Sequence, residues 1–129
     1  MPALTPRVVE SIDDTTSRAP IAEIAAYLRD QLGQRTTAFM VGAADAKQIA
    51  AYARGANVSE IRQRRLREGY KVVKLIETAF GTETAKAWLF GTNVRLDDRA
   101  PIEVLGAATS TDDFVSVVRA ARQFASVEA

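Results

Sequence analysis

Turning over a substrate needs a nucleophile or a proton carrier, and this sequence is short of both. It contains neither histidine nor cysteine, so a nucleophile would have to be Ser, Thr, Lys or a carboxylate, activated by Lys, Asp or Glu. Its acidic pairs are Asp13-Asp14, Asp97-Asp98 and Asp112-Asp113. Sequence neighbours point to different sides of a helix, so such pairs converge on a substrate only where a loop folds them together. An N-terminal segment, a solvated loop and the first turn of a helix account for the three. Gly42, Gly55, Gly69, Gly81 and Gly91 punctuate helices, and none belongs to a Gly-rich phosphate loop. The residues therefore describe a binder rather than a catalyst. No catalytic residue, no Cys/His metal site and no cofactor is expected.

Two stretches carry binding chemistry. From Arg29 to Lys74 there are ten Lys/Arg against four Asp/Glu, a balance of +6, although the whole chain is only +1. From Leu75 to Ala129 the balance is five against eight, or −3. A basic middle and an acidic final third point to two different partners. Within the basic part, Thr36–Val41, Gly42 and a helix from about Asp45 to Arg54 have the size of a helix-turn-helix, whose second helix enters the major groove. Candidate readers are Lys47, Gln48, Tyr52 and Arg54, with Arg35 beside them. Arg62, Arg64, Arg65, Arg67, Lys71 and Lys74 follow as candidate phosphate contacts. A solvated basic face explains the same charges, and Ala46, Ala50, Ala51 and Ala53 leave few groups to read base edges. In the acidic part, Trp88-Leu89-Phe90 cannot all face one core from one helix. At least one belongs to a second interface or lies under the following loop.

The elements that must hold these residues are all helical, since no run shows strict apolar/polar alternation. Residues 1–19 read as a flexible arm, because Pro2, Pro6, Asp13-Asp14 and Thr15-Thr16-Ser17 give no sustained period. Pro20 opens a helix with Ile21, Ile24, Ala25, Leu28 and Leu32 on one face, closed by Gly33. Residues 20–58 would form the helix-turn-helix-like lobe. A long helix from about Glu60 to Phe80 would connect it to a small C-terminal helical lobe, within a 59–129 unit. Ile61, Leu66, Tyr70, Val73, Ile76 and Phe80 would be its core stripe. Gly69 inside it costs about 1 kcal/mol against Ala, which implies close packing or a bend. Thr82 caps a helix to Phe90, Pro101 opens one to Leu105 closed by Gly106, and Thr111 caps a last one through Phe124.

Bulk composition agrees with a small globular protein. At 129 residues, 47% hydrophobic and 26% charged, the chain can bury one core. It has no apolar run of signal-peptide or membrane-span length, and no cysteine, so a cytoplasmic protein is expected.

Gly81, Ala85, Trp88-Leu89, Asn93, Leu96, Pro101 and Leu105 resemble the toxin-binding domain of Xre/MbcA/ParS-type antitoxins. That pattern is an Ala…Trp-Leu core, an Asn-containing turn, a Leu, then a Pro-initiated helix ending in Leu. More weakly, the likeness runs on to Phe124 and back to about Ile24. The resemblance implies a dimeric bacterial type II antitoxin that holds a cognate toxin, often an NAD-consuming RES-type enzyme, with its C-terminal lobe. Its N-terminal lobe would bind operator DNA. Carried onto this chain, toxin contacts fall on Trp88, Asn93, Asp97, Asp98, Pro101, Asp112 and Asp113, and on the tail Ser126–Ala129. Two departures stand out. The candidate recognition helix is alanine-rich, and Asp97-Asp98 replace a glycine common after the turn's Leu. The rival reading is a stand-alone helix-turn-helix regulator whose C-terminal helices only dimerise.

Overall fold

Helix stops divide this chain, and the computed structural model, which describes residues 4–126, follows most of them. Among the described residues there are eight α-helices. The first four are α1 (Pro6–Arg18), α2 (Ile21–Leu32), α3 (Gln34–Val41) and α4 (Lys47–Ala53). The others are α5 (Glu60–Phe80), α6 (Thr82–Phe90), α7 (Pro101–Ala107) and α8 (Thr111–Ala125). A 3₁₀ turn, Val94–Leu96, lies between α6 and α7, and no strand forms among these residues. The fold is all-α.

The axis is α5. Ser59 caps it by accepting the Arg62 N–H at 3.4 Å, Glu60 complements the dipole in the first turn, and Gly81 stops it. Leu66, Tyr70, Val73 and Ile76 are buried as their spacing predicts, whereas Ile61 and Phe80 are half-buried. Gly69, Val72, Leu75 and Ala79 are buried too, making the apolar face far wider than one stripe. The reason is that α1, α2, α3, α6, α7 and α8 all pack on α5. A polar tie joins α2, α5 and α6. The Tyr27 hydroxyl donates to Glu77, and Thr82 Oγ1 lies 3.0 Å from both Glu77 Oε2 and Gln31 Oε1. Burial, with Glu77 adding, pushes the Tyr27 phenol well above its ordinary pKa.

The expected arm is a helix instead. Thr5 Oγ1 accepts the Val8 N–H at 3.3 Å and Pro6 supplies the first helical residue, so α1 starts cleanly. Ile12 and Thr16 are buried, with Val8 and Val9 packed against the same core. Thr16 sits there because its hydroxyl donates to the Ile12 carbonyl at 2.7 Å. A threonine in a core position hides the helical period from a reading that counts only apolar residues.

Gly106 also departs from expectation, for it lies inside α7 rather than closing it. A Cβ there would sit 2.6 Å from the Phe39 carbonyl oxygen, so glycine lets α7 press onto the backbone of α3. That contact crosses the boundary expected at residue 58 and packs the two parts together. Gly69 is tight in a softer way, since its Cβ would meet the Met40 Cε at 2.8 Å and Sδ at 2.9 Å.

A flexible thioether can move and a main-chain carbonyl cannot. Gly106→Ala is therefore expected to destabilise the protein by about 1–3 kcal/mol, the range of a forced backbone shift. Gly69→Ala should stay within about 1 kcal/mol of wild type, because the gain in helix propensity offsets the displacement of Met40. Paired chemical denaturation curves measure the difference.

Candidate functional site

The helix-turn-helix-like segment forms as α3, a turn and α4, both packed on α2. Asp45 Oδ1 accepts the Lys47 N–H at 2.8 Å and fixes the entry to α4. Lys47 and Arg54 stand exposed at the two ends of that helix. Gln48 is half-buried, and its Oε1 is buried without a hydrogen-bond partner among the described residues. Tyr52 is a correction. Its ring is in the core and its hydroxyl accepts from Arg62 Nη1 at 2.9 Å, so it cannot reach a base edge.

Of the α5 arginines, Arg62, Arg65 and Arg67 are engaged with main-chain carbonyls, while Arg64 stays exposed. Arg62 Nη2 donates to the Gly42 carbonyl at 3.2 Å, just past α3. Arg65 donates to the Val41 carbonyl at 3.2 Å and twice to the Ala108 carbonyl, at 3.1 and 2.9 Å, closing the ends of α3 and α7. Burial, and the neighbouring Arg62 charge, pull its pKa below the usual value. Arg67 Nη1 donates to the Thr16 and Ala19 carbonyls at 2.9 and 2.8 Å and closes α1. Helix C-termini leave carbonyls unpaired and carry partial negative charge, and a guanidinium answers both needs. Lys71 and Lys74 stand 3.5 and 3.7 Å from Glu68 and Glu77, and Arg64 lies 3.7 Å from Glu68. Of the ten cations in this stretch, Arg35, Lys47 and Arg54 have neither an ion pair nor a side-chain hydrogen bond among the described residues. The charge run is mostly internal bonding.

The C-terminal residues fall into supports and exposed groups. Pro101 is buried and starts α7, where Glu103 accepts the Ala100 N–H at 3.3 Å. Asn93 organises the loop: its side chain accepts the Arg95 N–H at 3.0 Å and its carbonyl accepts the N–H groups of Leu96 and Asp98, each at 2.9 Å. Leu96 is the buried anchor of this loop. Asp97 and Asp98 take left-handed φ of 58° and 62°, a conformation Asp tolerates better than most residues. Both carboxylates are exposed, as is that of Asp112.

Trp88-Leu89-Phe90 splits as the helix geometry requires. Leu89 is buried, Trp88 is half-buried 6.2 Å from the Phe124 ring, and Phe90 remains 55% exposed. Val94 is 82% exposed, and Phe124, also against Phe80, is partly exposed. Four of the five exposed large apolar side chains, Phe90, Val94, Val115 and Phe124, thus belong to residues 90–124, the fifth being Phe39. Composition carries no signal for Val94 or Val115, since exposure depends on how the loop and α8 turn. Of the tail Ser126–Ala129, residues 127–129 lie outside the described residues.

Asp113 is a cap rather than a free charge. Its carboxylate accepts the Thr109 N–H at 3.1 Å and the Ser110 N–H at 3.4 Å, while Ser110 Oγ accepts the Asp113 N–H at 3.3 Å. Ser110, one residue earlier than expected, is the N-cap of α8. The two backbone donors, Thr109 first, hold the Asp113 pKa below the usual carboxylate value. A depressed native pKa adds stability that is present above the unfolded value, near 4, and lost as pH falls through the native one. Asp113→Asn should therefore melt at lower temperature than wild type at neutral pH. The gap should close as the pH drops below the native pKa, which thermal melts across the acid range will read.

Among the described residues no group of three or more His, Cys, Asp or Glu lies together as a metal site would require, and no helix is long and apolar enough to cross a membrane. No family model matches the chain, and neither does any curated protein or solved structure.

Proposed function

We propose that this chain is a protein-binding antitoxin that neutralises a toxin enzyme by covering its active site. The observation that carries the reading is the exposure of Phe90, Val94 and Phe124 in a stretch of chain whose Asp97, Asp98 and Asp112 carboxylates are exposed as well. Such side chains are costly to leave in water and are the usual anchors of a protein interface. The same region bears the antitoxin-like motif, with Trp88 and Pro101 acting as supports beneath the contact surface. Inhibition on this reading is stoichiometric. Apolar anchors bury surface, and the carboxylates steer and orient the partner. A RES-type toxin that binds the phosphates of NAD would offer a basic mouth to those acids. The chain needs no catalytic residue or cofactor of its own for this work, and a homodimer is the default assembly for such a regulator.

A second role in the same reading is autoregulation through operator DNA, for which the free Arg35, Lys47 and Arg54 around α3 and α4 are the support. The stand-alone regulator shares this support and would use the exposed C-terminal apolar side chains for dimerisation alone.

Co-expression with the protein encoded beside this gene tests the reading. The neighbour should arrest growth alone and be silenced by this chain. Phe90→Asp combined with Val94→Asp should abolish rescue and weaken the complex at least about thirtyfold, the loss of a hot spot of roughly 2 kcal/mol. Its melting temperature should stay near wild type, since Val94 is 82% and Phe90 55% exposed. A harmless neighbour would sink the antitoxin reading.

DNA binding has its own readout. Each neutralised phosphate adds about 0.9 to the slope of log affinity against log salt. With most α5 cations engaged internally, the slope on upstream DNA should not exceed about 3 per protomer. A much steeper slope would show that the α5 arginines do reach phosphates.

A further inference from the structure

By sequence the last third of the chain is acidic, yet α8 turns Arg119 and Arg122 toward Arg64 and Lys71 of α5. The four line one cleft of about 290 Å³ between the two helices. Its apolar lining is Phe114, Val115 and Val118, of which Phe114 and Val118 are buried and Val115 remains 40% exposed. The Arg64 guanidinium lies 4.8 Å over the Phe114 ring, forming a flat cationic wall.

The cations are only partly answered from within. Glu68 is the one carboxylate in the lining, 3.7 Å from Arg64 and 3.5 Å from Lys71. Arg122 meets Asp13 of α1 at 2.8 Å. Arg119 has no ion pair among the described residues. Four cations facing Glu68 and Asp13 leave the cleft positive around an apolar lining.

We propose that this cleft docks an acidic, amphipathic segment of a partner protein, an apolar side chain against that lining and carboxylates on the rim. The apolar lining would find nothing to bury on a phosphate backbone. A leucine or phenylalanine flanked by Asp or Glu satisfies both features, since opposite charges align the segment while the side chain is buried. The inference stands apart from the antitoxin reading, because it concerns the chemistry of the ligand and not the identity of its owner.

Amide chemical-shift mapping by NMR tests it on the full chain, with a short peptide in which leucines alternate with pairs of glutamates. The expected result is saturable shifts at residues 114–122 and 64–71, weakening as salt rises because screening shortens to about 8 Å at physiological strength. Arg119→Glu and Val115→Asp, both at exposed positions, should each weaken binding about tenfold, as loss of a rim charge and of an apolar contact do. Their unchanged spectra elsewhere will report an intact fold. Equal binding of a peptide with lysine in place of glutamate would overturn the proposal, as would shifts confined to other surfaces or affinity indifferent to both variants. A DNA duplex that displaces the peptide through the same amides would reassign the cleft to nucleic acid and overturn it too.

Discussion

Three guanidinium groups on one helix close the ends of three others, and the packing of the molecule depends on that arrangement. Arg62, Arg65 and Arg67 reach from α5 to the carbonyls left over at the C-termini of α3, α7 and α1. A helix end buried without donors is strongly disfavoured, since each unpaired carbonyl loses water and gains nothing. Placing the donors on the central helix means that an end is satisfied only when its helix lies correctly on α5. Hydrogen bonding and packing then enforce the same geometry, which is how a short chain reaches a single arrangement. Gly106 serves the same junction, letting α7 approach α3 closely enough for Arg65 to bridge both.

Much of this fold is legible in the sequence because helices announce their ends. The long helix spans Glu60–Phe80 as its spacing suggests, and Gly33 marks another end in the expected place. The all-α class follows from the same signals. What the sequence hides are interactions whose partner is main chain. A carbonyl has no letter, so Arg62, Arg65 and Arg67 look like surface charge until the helices they close are in position. The wider apolar face of α5 was hidden for a related reason, because a one-stripe reading assumes neighbours on one side only. In α1 the period is masked by Thr16, whose hydroxyl is satisfied within its own helix.

The candidate site was legible to a different depth. Asn93, Leu96 and Pro101 stand out in the sequence, and the structure makes them the supports of a loop that exposes Val94, Asp97 and Asp98. The motif thus reveals the scaffold of the surface better than its contacts. Linear charge misleads more seriously. A basic middle and an acidic end suggest two faces, whereas Arg119 and Arg122 of the acidic third join Arg64 and Lys71 of the basic third around one cleft. Sequence blocks are not surfaces once helices turn against each other.

The arginine clasps also set how this protein can drift. A carbonyl is supplied by every residue type, so Val41, Thr16, Ala19 and Ala108 are free, as far as the clasps are concerned, to change identity. The donors have no such freedom. Lysine brings a single ammonium where Arg65 presents a planar fork to two carbonyls at once, so even that charge-conserving exchange loses the bridge. Related chains would then share a sparse set of arginines spaced along one helix, set among positions that vary widely. Similarity measured along the whole sequence would fade long before the architecture does.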